Sequence, residues 1–176
     1  ALMDVAYSPN WAADGFAVAA FWQGLWSTHD RGATWQKLSE LYEDRPPDHT
    51  GSVAVGLTVT GTHTLLAAGP YYYGVYRSVD EGATWVWHDG PTQINRLHFH
   101  PILPDVALAA AVNGLWRTVD GGVQWTLVTT TTAVYDVAFA DDGSATAISG
   151  GLAWRSTDDG QTWQPLTTTP IERLFK

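Results

Sequence analysis

Short apolar runs alternate along this chain with breaks rich in Gly, Asp and Thr, the pattern of strands joined by tight turns. The runs Ile94 to Phe99, Val106 to Val112, Val134 to Phe139 and Ala145 to Ser149 are each one strand long. A third kind of run opens on glycine: Gly24-Leu25-Trp26-Ser27, Gly74-Val75-Tyr76-Arg77, Gly114-Leu115-Trp116-Arg117 and Gly151-Leu152-Ala153-Trp154-Arg155, the last one residue longer. A fourth begins at a tryptophan shortly after. Each repeat therefore holds four short strands, A to D. The run Ala107-Leu108-Ala109-Ala110-Ala111-Val112 is apolar on both faces and needs cover on both, which radially stacked sheets supply and a single sandwich does not.

The break between C and D repeats in sequence as well as in kind. Thr28-His29-Asp30-Arg31-Gly32-Ala33-Thr34-Trp35, Ser78-Val79-Asp80-Glu81-Gly82-Ala83-Thr84-Trp85, Thr118-Val119-Asp120-Gly121-Gly122-Val123-Gln124-Trp125 and Ser156-Thr157-Asp158-Asp159-Gly160-Gln161-Thr162-Trp163 share the pattern [S/T]-x-D-x-G-x-[T/Q]-W. An Asp opening a hairpin accepts hydrogen bonds from backbone N–H groups a few residues on, and the Gly takes a positive φ that side chains resist. The Ser or Thr and the later Thr satisfy other turn groups, and the Trp packs its ring beneath the turn. These residues are expected to be structural.

The four segments resemble Asp-box repeats, also called BNR repeats, found in sialidases, sortilin-type receptors and photosystem II stability and assembly factors. The form G-L-W-R-S-x-D-x-G-x-T-W is most similar to the assembly-factor type. The resemblance implies an all-β fold, a β-propeller of four-stranded antiparallel blades with Asp-box C–D hairpins, and a ring of more than four blades. It further implies that the boxes sit on the outer rim, away from the functional face, and it favours an extracytoplasmic location.

The Asp-to-Asp spacings of 50, 40 and 38 residues each fit one blade of roughly 40 residues. The expected blades are 1–40, 51–90, 93–129 and 133–168. Pro170-Ile171-Glu172-Arg173-Leu174-Phe175-Lys176 echoes Ile94 to Phe99 and reads as strand A of a fifth blade. The chain is then part of a larger ring, or it is completed by closure on blade one or by a second chain. Open blade faces expose apolar patches and invite self-association.

Composition narrows the partners. The 176 residues are 45% apolar and 15% charged, an ordered globular composition, and the ten Trp and seventeen Gly suit a repetitive β fold. A net charge of −9 repels phosphate backbones, so nucleic acid is not expected. Without cysteine there is neither a disulfide nor a thiolate metal site, and the compartment stays open. No apolar run reaches the roughly 20 residues of a membrane helix.

A functional surface is expected on the face away from the boxes, where the D-to-A and B-to-C loops emerge. Asp30 to Val53 spans 23 residues where Asp80 to Ile94 and Asp120 to Val134 each span 14, and the surplus is the loop Leu41-Tyr42-Glu43-Asp44-Arg45-Pro46-Pro47-Asp48-His49. The B-to-C loops of blades one and two add Phe21-Trp22-Gln23 and Pro70-Tyr71-Tyr72-Tyr73. Trp22, Tyr42, Arg45, Tyr71, Tyr72 and Tyr73 form the candidate binding face, since Tyr and Trp bury much area at low entropic cost. The alternative is that Tyr71 and Tyr73 pack into the neighbouring blade beneath the long loop.

Arg77, Arg117 and Arg155 recur just before the box, which suits stacking on a Trp or pairing with an acid between blades; the other reading is an anion-binding ring. His98 and His100 sit i, i+2 on one strand side with Asp105 as the only nearby third ligand, too few for a metal site, so no metal and no cofactor is expected. A sialidase needs an arginine cluster, a Tyr–Glu nucleophile pair and an acid. The F/Y-R-I-P opening is absent, and the only glutamates are Glu40, Glu43, Glu81 and Glu172. The expectation is a non-catalytic binding or assembly scaffold for a protein or glycan. The alternative is part of a sialidase-like glycoside hydrolase whose catalytic residues lie outside this segment.

Overall fold

The computed structural model describes residues 2–21, 24–38, 51–58, 61–69, 73–129 and 133–166. The fold is all-β, a β-propeller arc of four antiparallel sheets, each a meander in strict chain order. Blade one holds β1 (Leu2–Tyr7), β2 (Ala17–Phe21), β3 (Gly24–Thr28) and β4 (Gln36–Lys37). Blade two holds β5 (Ser52–Leu57), β6 (His63–Ala68), β7 (Tyr73–Ser78) and β8 (Val86–Thr92). Blade three holds β9 (Ile94–Phe99), β10 (Ala107–Ala111), β11 (Gly114–Thr118) and β12 (Thr126–Thr129). Blade four holds β13 (Val134–Phe139), β14 (Ala145–Ser149), β15 (Leu152–Ser156) and β16 (Gln164–Pro165). The echo of strand A at 170–176 and the long loop 41–49 lie outside the described residues.

The core lies between the sheets. Between blades one and two it gathers Val18, Ala20 and Leu25 against Val53, Val55 and Leu65; Leu66, Ala68 and Val75 of blade two meet Ile94, Leu97 and Phe99 of blade three; Leu108, Ala110 and Leu115 meet Val134, Val137 and Phe139 of blade four. Every residue of β10 is buried, because both faces of that strand are covered. The innermost strands β1, β5, β9 and β13 stand side by side around an axial channel.

One element departs from the strand pattern. A single helical turn, α1 (Trp11–Asp14), fills the β1–β2 connection and ends on Gly15 in the left-handed region at φ +63°. A methyl group at Gly15 would meet the Arg31 side chain at 3.1 Å and the His29 carbonyl at 3.2 Å. Asp14 accepts from the Ser8 hydroxyl at 2.6 Å and the Phe16 N–H at 2.9 Å, and the buried His63 of blade two lies between Asp14 and Glu81. Burial of Asp14 opposes its ionisation, yet these hydrogen bonds hold its carboxyl below the ordinary value.

Candidate functional site

The four boxes occupy the C–D corners with one common geometry. In blade two, Asp80 accepts from the Ser78 hydroxyl at 2.8 Å, the Thr84 N–H at 2.8 Å and the Thr84 hydroxyl at 2.6 Å. Ser78 in turn accepts from the Gly82 N–H at 2.8 Å, and the Trp85 indole N–H donates to the Gly82 carbonyl at 3.1 Å. The same bonds surround Asp30, through Thr28, Gly32, Thr34 and Trp35, and Asp158, through Ser156, Gly160, Thr162 and Trp163. At Asp120 the donors are the Thr118 hydroxyl and the Val123 and Gln124 N–H groups, and Trp125 donates to Gly122. Donation to the ionised carboxylate, with the later Thr hydroxyl first, pulls Asp30 and Asp158 down to about 2 and Asp80 in the same direction. At Asp120, burial opposes the charge, and the Gln124 N–H, Thr118, Val123 and Arg77 outweigh it.

The residue after the Asp is also left-handed in all four turns: Arg31, Glu81, Gly121 and Asp159 have φ of 59°, 57°, 69° and 58°. The box glycine follows at φ 80° to 97° and serves the neighbouring blade too. A methyl at Gly122 would sit 2.5 Å from Leu66 Cδ2, and one at Gly160 would sit 2.9 Å from Leu108 Cδ2, so a leucine of the preceding blade occupies that space.

The recurrent arginines bind the same turns. Arg77 Nε donates to the Gly121 carbonyl at 2.9 Å, and Arg117 Nε donates to the Asp159 carbonyl at 2.8 Å, in each case from one blade to the box of the next. The inter-blade role expected for Arg77 and Arg117 is met through backbone carbonyls, and Arg77 also acts electrostatically on Asp120 of the next blade. Arg155 occupies the same register position in blade four. His98 and His100 both touch Phe139, at ring distances of 6.2 and 4.6 Å. His100 is held by Asp159 and by the Ile102 and Leu103 N–H groups, whereas Asp105 lies against Gly121 near Arg77. The three are not one ligand set, and no cluster of three metal-ligating residues occurs among the described residues.

Two surfaces remain as candidate sites. The first is an aromatic ledge on the outer strands of blade two, reaching the B–C end at Tyr73. Tyr73 is 52% exposed and meets Trp87, 42% exposed, edge to face at 5.6 Å. The Trp87 indole N–H donates to the Tyr73 carbonyl at 3.3 Å and lies across Gly74, where any side chain would collide with it at 2.5 Å. Tyr73 pairs in register with Thr92, whose N–H donates to Asn113 in the blade-three B–C turn, and Asn113 also takes the Trp116 indole N–H. Tyr73 thus stays open to solvent and is not packed into the next blade. Trp87 was missed by sequence reasoning, although its place two residues beyond the box Trp, paired with Tyr76, could have identified it. Trp22, Tyr42, Arg45, Tyr71 and Tyr72 lie outside the described residues.

The second surface is the axial channel, a cavity of about 470 Å³ lined by all four inner strands. Arg96 bridges Asp4 of blade one and Asp136 of blade four, the latter through Nε at 3.1 Å. Asp4 is buried and also accepts from the Ser52 hydroxyl at 2.9 Å and the Val53 N–H at 3.1 Å. The two carboxylates raise the Arg96 pKa against the opposing effect of its burial.

Residues 154–165, which span the fourth of the equivalent turns, match the BNR/Asp-box repeat family model. Among solved structures, the GH74 xyloglucanase from Xanthomonas campestris is similar over 96% of this chain and 31% of its own, at a TM-score of 0.75 and 20% identity. The GH74 enzyme of Niastella koreensis is similar over 96% and 24%, at 0.72 and 18%. YCF48 bound to D1 peptide is similar over 96% and 53%, at 0.65 and 16%. The chain therefore spans a third or less of the two GH74 chains and about half of that YCF48 chain. No curated protein matches it.

Proposed function

We propose that this chain is a non-catalytic binding scaffold whose blade two presents the Tyr73–Trp87 ledge to a protein or glycan partner. The observation that supports the reading is the exposure of two touching aromatic rings on the rigid outer strand pair of blade two, with Tyr73 at the end of that pair away from the Asp box. Both rings are fixed by the fold, so a flat sugar face or a peptide side chain stacks on them with little loss of entropy. Asn113 and Thr92 add polar partners beside the rings. A protein partner accords with the YCF48 structure bound to D1 peptide, and a glycan partner with the xyloglucanase.

The second reading, a piece of a glycoside hydrolase propeller completed by residues elsewhere, draws on the GH74 likeness. One titration separates the two. Tryptophan fluorescence is followed with a D1 peptide and with xyloglucan oligosaccharides, on the parent chain and on Tyr73→Ala and Trp87→Leu. The scaffold reading expects saturable binding of one probe, weakened at least tenfold by Tyr73→Ala with an unchanged melting temperature. Binding indifferent to Tyr73, or cleavage of the oligosaccharide, contradicts it.

A further inference from the structure

We infer that the outer edge of blade three is a docking site for an extended, lysine-bearing peptide segment of another protein, which adds to β12 as a fifth strand and sets its ammonium group on Asp120. Each blade ends on an outermost strand with no partner strand beyond it. Such an edge is a template for a further strand, and proteins guard it with lysine, proline, a charge or extreme shortness. Three of the four edges are guarded in this way. β4 has two residues and ends on Lys37, β16 has two and ends on Pro165, and the seven of β8 include Asp89 and Pro91. β12 is Thr126-Leu127-Val128-Thr129, with neither a charge nor a proline. Blade three packs on blade two at one face and on blade four at the other, so its rim alone is open.

A groove of about 490 Å³ follows this edge between the boxes of blades three and four. Thr126, Leu127 and Val128 line it together with Asp120, Gln124 and Gln161. Successive strand residues face opposite sides, so three in a row lining one groove bring it onto the backbone edge itself. Strand addition draws its affinity from main-chain hydrogen bonds along such an edge and its specificity from the side chains beside it. In blade two the positions of Leu127 and Val128 are held by the larger Trp87 and His88.

Asp120 sets the charge of the segment. In the other three boxes the second carboxylate oxygen takes the hydroxyl of Thr34, Thr84 or Thr162, each at 2.6 Å. Blade three has Gln124 at that position. The Thr118 hydroxyl and the Val123 and Gln124 N–H groups all donate to Asp120 Oδ1, and among the described residues no donor reaches Oδ2. Arg77 acts on Asp120 from beyond ion-pair distance. A carboxylate with an open acceptor beside a groove favours a donor, and the net charge of −9 favours a cationic one. Arg117 also borders the groove and limits the segment to a single cation there.

Amide NMR titration of the 176-residue chain with the capped pentapeptide Thr-Val-Lys-Val-Thr tests this, beside one control peptide with glutamate for lysine and one N-methylated at alternate amides. Saturable shifts are expected at residues 126–128 and in the Asp120 turn, with affinity about tenfold lower for the glutamate peptide and lost on N-methylation. Gln124→Thr supplies the hydroxyl that the other boxes have, so it should fold at least as stably and bind the lysine peptide several-fold more weakly. Tyr73→Ala should leave the titration unchanged, which separates this edge from the aromatic ledge. No saturable shift up to millimolar peptide, equal binding of the lysine and glutamate peptides, or a Gln124→Thr variant that binds as the parent does overturns the inference. Shifts of the same amides with protein concentration alone overturn it too, because the occupant is then a second copy.

Discussion

Replacing Gly122 by alanine separates two demands that the fold makes on a single residue. The first is conformational: φ is +97°, and holding a non-glycine residue in this region costs about 1–3 kcal/mol. The second is steric, because the new methyl would stand 2.5 Å from Leu66 Cδ2 in the packed joint between blades two and three, and overpacking of this kind costs about 1–3 kcal/mol. Gly122→Ala is therefore expected to lose about 2–6 kcal/mol in urea unfolding followed by tryptophan fluorescence. Gly61 supplies the control, since it has φ +81° with nothing within 4 Å of the added methyl, and Gly61→Ala should lose only the conformational part. Leu66→Ala, at a fully buried position, costs about 2–5 kcal/mol by itself. Combined with Gly122→Ala it removes the collision, so the double variant should be less destabilised than the sum by about 1–3 kcal/mol. Strict additivity, or a Gly122→Ala variant within about 0.5 kcal/mol of the parent, refutes a glycine held by the neighbouring blade.

Three further outcomes follow from the joints and turns. Arg117→Ala removes the donor to the Asp159 carbonyl and should lower stability by about 1–2 kcal/mol, with Arg117→Lys recovering only part, as measured by the same unfolding. Arg96→Ala leaves the buried Asp4 with its Ser52 and Val53 donors but without a counter-charge, and is expected to cost about 1–3 kcal/mol, read as a loss of melting temperature that Asp136→Asn does not reproduce. Acid should destabilise the chain in a defined window: the box carboxyls are lowered in the folded state relative to an unfolded value near 3.8, so their contribution is complete above about pH 4 and is lost as the pH falls toward about 2. Melting curves from pH 6 downward check this, and Asp158→Asn should flatten the decline.

Much of the fold was legible because its signals are local. The [S/T]-x-D-x-G-x-[T/Q]-W turns close on themselves, with every acceptor and donor within four residues, so the eight-residue pattern contains its own cause. The unbroken apolar run of β10 announced a strand covered on both faces. What escaped depends on distant partners or on backbone. The left-handed residue after each Asp is Arg, Glu, Gly or Asp, which shares no side-chain property to read. The arginines before the boxes were recognised as inter-blade residues, but their acceptors are carbonyls about forty residues away, invisible to side-chain pairing. Arg96 looked like an ordinary strand residue because Asp4 lies 92 positions earlier. Tyr73 was found from its run of tyrosines, whereas Trp87 joined it only when strand register set the two rings together.

Four turns of differing sequence share one hydrogen-bonded geometry around an ionised Asp. Carbon-13 NMR titration of the aspartate carboxyls tests it site by site. Asp30 and Asp158 should titrate at about 2, and Asp80 and Asp120 below the ordinary value of 3.8. Midpoints scattered around 3.8 at any of the four, in a chain that is still folded, would contradict the equivalence on which the blades and their joints depend.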